Sequence, residues 1–379
     1  MDISKEQRDW LTLTLVPGVG STLFVRLLSR FKTPGAVLCA SEAELAEVVG
    51  EKRAQRIRRY RDVVDVDKEI RALNAYDAGL ITMDDPEYPT RLAEIYDPPL
   101  ALYHRGDLQA SDDYAVAIVG TRKASVYGQK MAEKLGRDLA ARGITVVSGL
   151  AAGIDAAAHQ GALSAGGRTI AVLGCGVDLV FPAENAELMH TVIQKGCVLS
   201  CFAMGMKPLR GNFPQRNRII SGLSMALIVV EAPPGSGALI TARNAADQGR
   251  EIFAVPGRAG ERNSMGPHSL LREGARLVET AEDILAELPM LAQAPPLVPQ
   301  ERGEKPPSTA TATETAKPAP PTLRSSEQDV LAALSPDGSY VDEISLVCRM
   351  PVSEALSTLT MLELKGLVQQ FSGKRFARA

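Results

Sequence analysis

Along the chain, apolar residues change their spacing twice. From residue 1 to about 75 they recur at helical intervals. The run LTLTLVPGVGSTLFVRLLSRF sets Pro17, Gly18, Val19 and Gly20 between two such segments. That pattern predicts a helix, a tight glycine turn, and a second helix capped by Ser21 or Thr22. Backbone N–H groups at such a turn can hold a DNA phosphate, as in a helix-hairpin-helix. A plain helical hairpin fits somewhat better, because the turn is short and the flanking helices carry little basic charge. Further on, EKRAQRIRRYRDVVDVDKEI spaces Ile57, Val63, Val64 and Ile70 as one helix with a solvated, partly basic face.

From Tyr76 the spacing shortens. GLIT, LALYHRG and AVAIVG are brief apolar runs bounded by Gly, Pro and Asp. ITVVSG, RTIAVLG, ALIVVEA, EIFAVPG and ARLVE follow, separated by amphipathic stretches such as GQKMAEKLGRDLAARG. Continuous apolar strands alternating with helices predict a parallel sheet covered on both faces, over residues 76–290. Residues 291–322 are rich in Pro, Ala and Thr and read as a linker that cannot pack. Residues 323–379 return to helical spacing for three helices, then end in two strand-like pieces around Ser372 and Gly373. That order is similar to a winged helix. Lys374, Arg375 and Arg378 on its wing suit a DNA backbone. A protein-binding winged helix fits equally, since Pro351 to Leu364 offers Glu354, Ser357, Thr358 and Glu363 but no Arg or Lys.

Composition narrows the chemistry. A formal net charge of −3 over 379 residues means that any nucleic-acid surface is a local patch. The five cysteines (Cys39, Cys175, Cys197, Cys201, Cys348) contain no CxxC pair, so reduced thiols, a cytoplasmic setting and no metal are expected. The polar N-terminus does not read as a signal peptide, and no apolar run reaches the ~20 residues that cross a bilayer.

In an open parallel sheet, ligands sit beyond the carboxyl ends of the strands. Four glycine loops are expected there: Gly120-Thr121-Arg122 with Ser125 and Gly128; Gly149 to Asp155; Gly174-Cys175-Gly176 with Phe181 to Asn185 behind; and Gly235-Ser236-Gly237-Ala238 with Thr241 and Arg243 on the next helix. Glycines let N–H groups approach an anion, and helix N-termini add a favourable dipole. GxxxxGK[ST] is missing, which disfavours ATP, and GxGxxG is missing, which disfavours a dinucleotide. No cofactor is expected. His159, one turn after Asp155, reads as a structural histidine paired with that carboxylate. GNFPQRNRIISG (Gly211 to Gly222) reads as a loop that sets Phe213 beside Arg216 and Arg218, a ring for stacking and guanidiniums for phosphates. Arg218, ahead of a buried strand, is expected to pair internally.

GTR at 120–122, SGLAAGID at 148–155, HQGAL at 159–163, GCGVD at 174–178, GNFPQRNRIISGLS at 211–224, GSGALITA at 235–242, FAVPG at 253–257 and LLREGA at 270–275 closely resemble the DprA/Smf family of bacterial DNA-processing proteins. The resemblance implies an α/β fold: a Rossmann-like sheet domain behind a helical SAM-like domain (1–75) and ahead of a winged helix. It also implies a homodimer that binds and protects incoming single-stranded DNA and loads RecA in natural transformation, with no catalytic residues. The family's DNA contacts fall on Arg122, Arg210 and Phe213, and its dimer contacts on His268, Leu271 and Leu277. With the loops, the expected DNA site comprises Arg122, Arg210, Phe213, Arg216, Thr121, Ser125, Gly149, Asn185, Gly235, Ser236, Gly237 and Thr241. Two departures, Cys201 and Ala203 in LSCFAMG and Ala183 in FPAEN, weaken a side-chain phosphate contact in the second segment and leave it to Asn185. Two other functions compete. One is a nucleotide phosphoribohydrolase, which needs a carboxylate where Thr241 stands. The other is a scaffold that recruits RecA and binds DNA only secondarily.

Overall fold

The computed structural model describes residues 3–295 and, in the tail, residues 330, 334, 339–348, 350, 352, 355, 358, 359, 362, 368–371 and 375–378. The described residues up to 295 form one compact unit and those from 330 a second.

The first unit opens with helices α1 (Lys5–Leu15), α2 (Ser21–Phe31), α3 (Pro34–Cys39), α4 (Glu42–Val49), α5 (Glu51–Arg58), α6 (Tyr60–Val63) and α7 (Val66–Ala75). Capping boxes start two of them, Ser4 with Gln7 and Ser41 with Glu44. The glycine turn is where the spacing put it, but neither Ser21 nor Thr22 is the cap. Gly20 is, without a side-chain bond, and Ser21 is already helical. The single helix expected over 51–70 is three. Asp65 caps a fresh start by accepting from the Lys68 N–H at 2.9 Å, which leaves Val63 exposed while Ile57 is buried. Trp10 and Phe24 meet at 4.8 Å between ring centroids in a core with Leu13, Leu27, Val37 and Leu45. The Trp10 indole N–H donates to the Leu100 carbonyl at 2.7 Å and so ties these helices to the sheet.

The sheet holds β1 (Gly79–Thr82), β2 (Ala101–Gly106), β3 (Ala115–Val119), β4 (Thr145–Ser148), β5 (Thr169–Val172), β6 (Cys197–Ser200), β7 (Ala226–Val229), β8 (Glu251–Ala254) and β9 (Arg276–Leu277), in the order β1-β2-β6-β5-β4-β3-β7-β8-β9. From β6 to β9 all neighbours are parallel, but β2 runs antiparallel to both β1 and β6. The wholly parallel expectation therefore fails at one edge. β6 itself was not anticipated: four residues directly behind Gly196 carry too little pattern to read as a strand. Along β3, Val116 and Ile118 join one apolar core and Ala115, Ala117 and Val119 another, so both faces are covered. The short α8 (Thr90–Ala93) lies between β1 and β2; on one face α9 (Val126–Ala140) and α10 (Ile154–Ser164) pack backbone to backbone, with α11 (Ala186–Lys195) beside α10. A Cβ on Gly161 would lie 2.1 Å from the Glu133 carbonyl oxygen.

Strand order reverses beside β3. β4 to β6 extend one way from it, β7 to β9 the other. Such a switch point opens a crevice outside the strand ends, the place where open α/β sheets take ligands. Leu291 and Ala294, assigned to the linker by composition, are buried against the sheet's core; residues 296–322 of that stretch lie outside the described residues.

In the second unit, β10 (Ser339–Tyr340), β12 (Arg375–Arg378) and β11 (Val368–Phe371) pair antiparallel in that order. The helix Val341–Cys348 precedes the hairpin, and Val330, Leu334, Ile344, Leu359, Val368 and Phe376 form the core. Lys374 and most of the expected recognition helix lie outside the described residues.

Candidate functional site

A cavity of about 300 Å³ lies at the switch point. Its walls are the loop after β3 (Gly120 to Lys123), the loop after β4 (Ala151, Asp155), the loop after β7 (Ser236 to Ala238, with Thr241) and the segment Phe213 to Ile220. Three of the four glycine loops thus converge. The fourth stands beneath Phe213: a Cβ on Gly174 would come within 3.0 Å of the Phe213 ring, and the Gly174 carbonyl accepts from the Asn212 amide at 3.0 Å.

The stretch read as a loop is a helix, α12 (Asn212–Gly222). Its Gly, Asn and Pro are poor helix formers, but Pro214 falls in the first turn, where its missing N–H costs nothing. Burial of Ile219 and Ile220 against the sheet then outweighs propensity. Phe213 is half-buried at the cavity mouth. The Arg122 guanidinium carbon lies 5.0 Å from its ring centroid and that of Arg216 5.9 Å, both within cation–π range. Phe181 stands 6.0 Å away on the side of the fourth loop.

Arg122 and Arg216 have opposite surroundings. Arg122 is exposed on the rim beside exposed Lys123. Arg216 is only 5% exposed and forms the floor. Its Nη1 donates to the Val172 carbonyl at 3.0 Å, and its buried Nε–H has no acceptor among the described residues. Burial pushes the guanidinium below its ordinary value, and Asp155 opposes that shift. Burial likewise pushes the Asp155 carboxyl up, against the pull of Arg216 and of the Ala151 N–H. Gly149 exists for this floor: a Cβ there would lie 1.4 Å from Arg216 Nη1. Its expected role, close approach to a phosphate, is replaced by close approach to an arginine.

His159 is structural, though its partner is not Asp155. Its Nδ1 lies 2.6 Å from Thr169 Oγ1, whose own proton goes to the Val146 carbonyl. The imidazole Nδ1–H is therefore the donor and the ring is neutral. Burial, then Arg216, pushes its pKa down to about 3. Arg218 pairs with Asp97, as its place ahead of a buried strand implied.

The other expected residues divide. Thr121, Ser236, Gly237 and Thr241 line the cavity. Ser236 caps α13 (Gly237–Asp247), and the Thr241 hydroxyl donates to the Gly237 carbonyl at 3.2 Å. No carboxylate stands there for ribose chemistry. Gly235 makes the turn just outside, with φ +76°. Arg210 is exposed on the turn into α12, away from the cavity wall. Ser125 and Asn185 do not join the site. Ser125 caps α9 and donates to the buried Glu231, and the Asn185 amide donates to the Leu150 carbonyl at 2.8 Å. His268 and Leu271 lie on α14 (Met265–Arg272), and Leu277 lies exposed on the edge strand β9. Lys123, Asp155 and Asn217 also line the cavity. Lys123 directly follows GTR, which was signal enough. The role of Asp155 emerges only from burial.

The buried thiols near the cavity stay protonated at neutral pH. Burial pushes Cys175 up to about 11 and Cys201 up to about 12. Among the described residues no cluster of His, Cys, Asp and Glu could hold a metal ion, and no helix is long and apolar enough to cross a membrane.

A cationic cavity with an aromatic at its mouth lies at the switch point of the sheet, and the architecture is that of a Rossmann-like α/β protein. The profile of the family described as DNA recombination-mediator protein A matches residues 79–289, a DprA winged helix domain matches 314–374, and a SAM-like helix-hairpin-helix tandem matches 11–59. This chain belongs to the DprA/Smf family. It is 36% identical to protein Smf of Synechocystis over 99% of both chains. It superposes on DNA processing protein A of Streptococcus pneumoniae with a TM-score of 0.66 and 35% identity, over 76% of this chain and 99% of that one. DNA processing protein A of Helicobacter pylori, which has a unique single-stranded DNA binding mode, matches with a TM-score of 0.52 and 30% identity, over 57% of this chain and 97% of that one.

Proposed function

We propose that this protein binds single-stranded DNA at the strand-end cavity, protects it, and passes it to RecA during natural transformation and recombination in the cytoplasm, without catalysis. The observation that carries the reading is Phe213 with Arg122 at 5.0 Å from its ring, over a cavity whose floor is a second guanidinium. Phosphates meet Arg122, Lys123 and Arg210, and a base stacks on the ring. Single strands are preferred because only unpaired bases present a free face at such a mouth. Homodimer formation through His268, Leu271 and Leu277 is supported by the exposed Leu277, 49% accessible on the sheet's edge strand. RecA loading rests on family membership.

The test is a titration with oligo-dT and with duplex DNA at several salt concentrations. Tighter binding to oligo-dT is expected, with log affinity falling linearly as log salt rises. Equal affinity for the duplex, or a complex indifferent to salt, overturns the reading.

A further inference from the structure

Outside the cavity walls, on the side of the fourth glycine loop, four apolar side chains face solvent: Val180, Phe181, Met206 and Leu209. They stand on two loops that are bonded to each other and to the start of α12. The Gly176 N–H donates to the Met206 carbonyl at 2.9 Å, and the Gly205 N–H to the Asp178 carboxylate at 2.9 Å. The Asn212 amide donates to the Gly174 carbonyl at 3.0 Å and to the Lys207 carbonyl at 3.3 Å. The patch is therefore formed before any ligand arrives. Lys207 and Arg210, both exposed, lie on the second of these loops.

Exposed apolar side chains gathered in one place mark a binding surface. Phe213 indicates what this one binds, because the Phe181 and Phe213 ring centroids are 6.0 Å apart with their planes at 42°. A base slipped between two rings needs parallel planes about 7 Å apart, twice the contact distance between carbons. The pair is closed to a base, so a base on Phe181 is a different one from that on Phe213. We propose that Phe181, 38% accessible, is a second stacking platform for the same single strand. It takes a neighbouring base, and Lys207 and Arg210 meet the phosphates on that side. The inference rests on the reading of the cavity as a single-stranded DNA site. It gives Arg210, exposed yet away from the cavity wall, a place on the path of the strand. From Gly174 to Asn185 the fourth loop holds no cation, and its acids Asp178 and Glu184 repel phosphate. Phe181 therefore contributes through its ring, and stacking tolerates any sequence.

Affinity for oligo-dT should be measured at equal folded fraction for the wild type, Phe181→Ala, Phe181→Tyr and Phe213→Ala, alongside the fluorescence of Phe181→Trp. Phe213→Ala weakens binding. Phe181→Ala weakens it about 5- to 150-fold, the range for one lost stacked base, with the slope against log salt unchanged. Phe181→Tyr keeps the ring and the wild-type affinity. The chain's single tryptophan, Trp10, is buried among the N-terminal helices, so the emission added by Phe181→Trp reports on this site alone. Oligo-dT quenches that emission when a base stacks there. If Phe181→Ala binds as the wild type does while Phe213→Ala is weak, the proposal falls and the cavity reading stands. Unquenched emission from Phe181→Trp in the complex also overturns it, even where Phe181→Ala is weak, because the ring then only props Phe213. If Phe213→Ala binds as the wild type does, the cavity reading falls and the proposal falls with it.

Discussion

The rim and the floor of the cavity use the same side chain in opposite states. Arg122 on the rim is exposed, flanked by Lys123, and free to meet a phosphate. Arg216 on the floor is buried, bonded to the Val172 carbonyl, and faced by Asp155, whose charge opposes the effect of burial. The rim can lose a charge to solvent at little cost, whereas the floor cannot. As the proposed DNA site, the cavity thus has two layers: one to bind, and the other to fix the shape on which binding depends. Phe213 joins them, since both guanidiniums lie within 6 Å of its ring.

The comparison breaks most sharply at the floor. Arg216→Ala should destabilise the fold by about 3–5 kcal/mol, the range for removing one member of a buried charged set. The cost stays toward the lower value because the Asp155 carboxyl, already pushed up by burial, can take a proton. Thermal unfolding with and without the substitution checks this; an unchanged melting temperature would mean that Arg216 belongs with the rim.

His159 sharpens it next. The folded chain keeps this imidazole neutral down to about pH 3, whereas an unfolded one protonates near pH 6.5. The unfolded state therefore binds more protons in that window, and stability falls as the pH drops from about 6.5 to 3. His159→Gln should melt lower than the wild type at neutral pH yet lose less stability across the window. Asp155 has the opposite sign: its contribution is present below its ordinary 3.8 and is lost as the pH rises through its raised value, so the histidine variant isolates one group. Parallel pH–stability curves for the two proteins would show that His159 is not the buried titrating group.

The rim was legible in the sequence and the floor was not, for a physical reason. Parallel strands buried on both faces leave continuous apolar runs, so β3, β4, β5, β7 and β8 and the glycine turns after them stand out. Strand direction leaves no such mark, which is why β2, legible as a strand, was not legible as antiparallel. Helix α12 was missed because its first residues favour turns, and only the buried Ile219 and Ile220 make it a helix. The burial of Arg216 contradicts the usual exposure of arginine. Its cause, the missing side chain of Gly149 one strand away, becomes visible only in three dimensions.

In the proposed complex the cavity's exposed cations neutralise phosphates of a single strand and its floor does not. Affinity for oligo-dT against salt, measured for the wild type and for Arg122→Ala at equal folded fraction, tests it most directly. Removing one phosphate contact should lower affinity modestly, reduce the log–log slope by about 0.7, and leave the melting temperature unchanged. An Arg122→Ala slope equal to that of the wild type, or a lowered melting temperature in its place, would contradict the account.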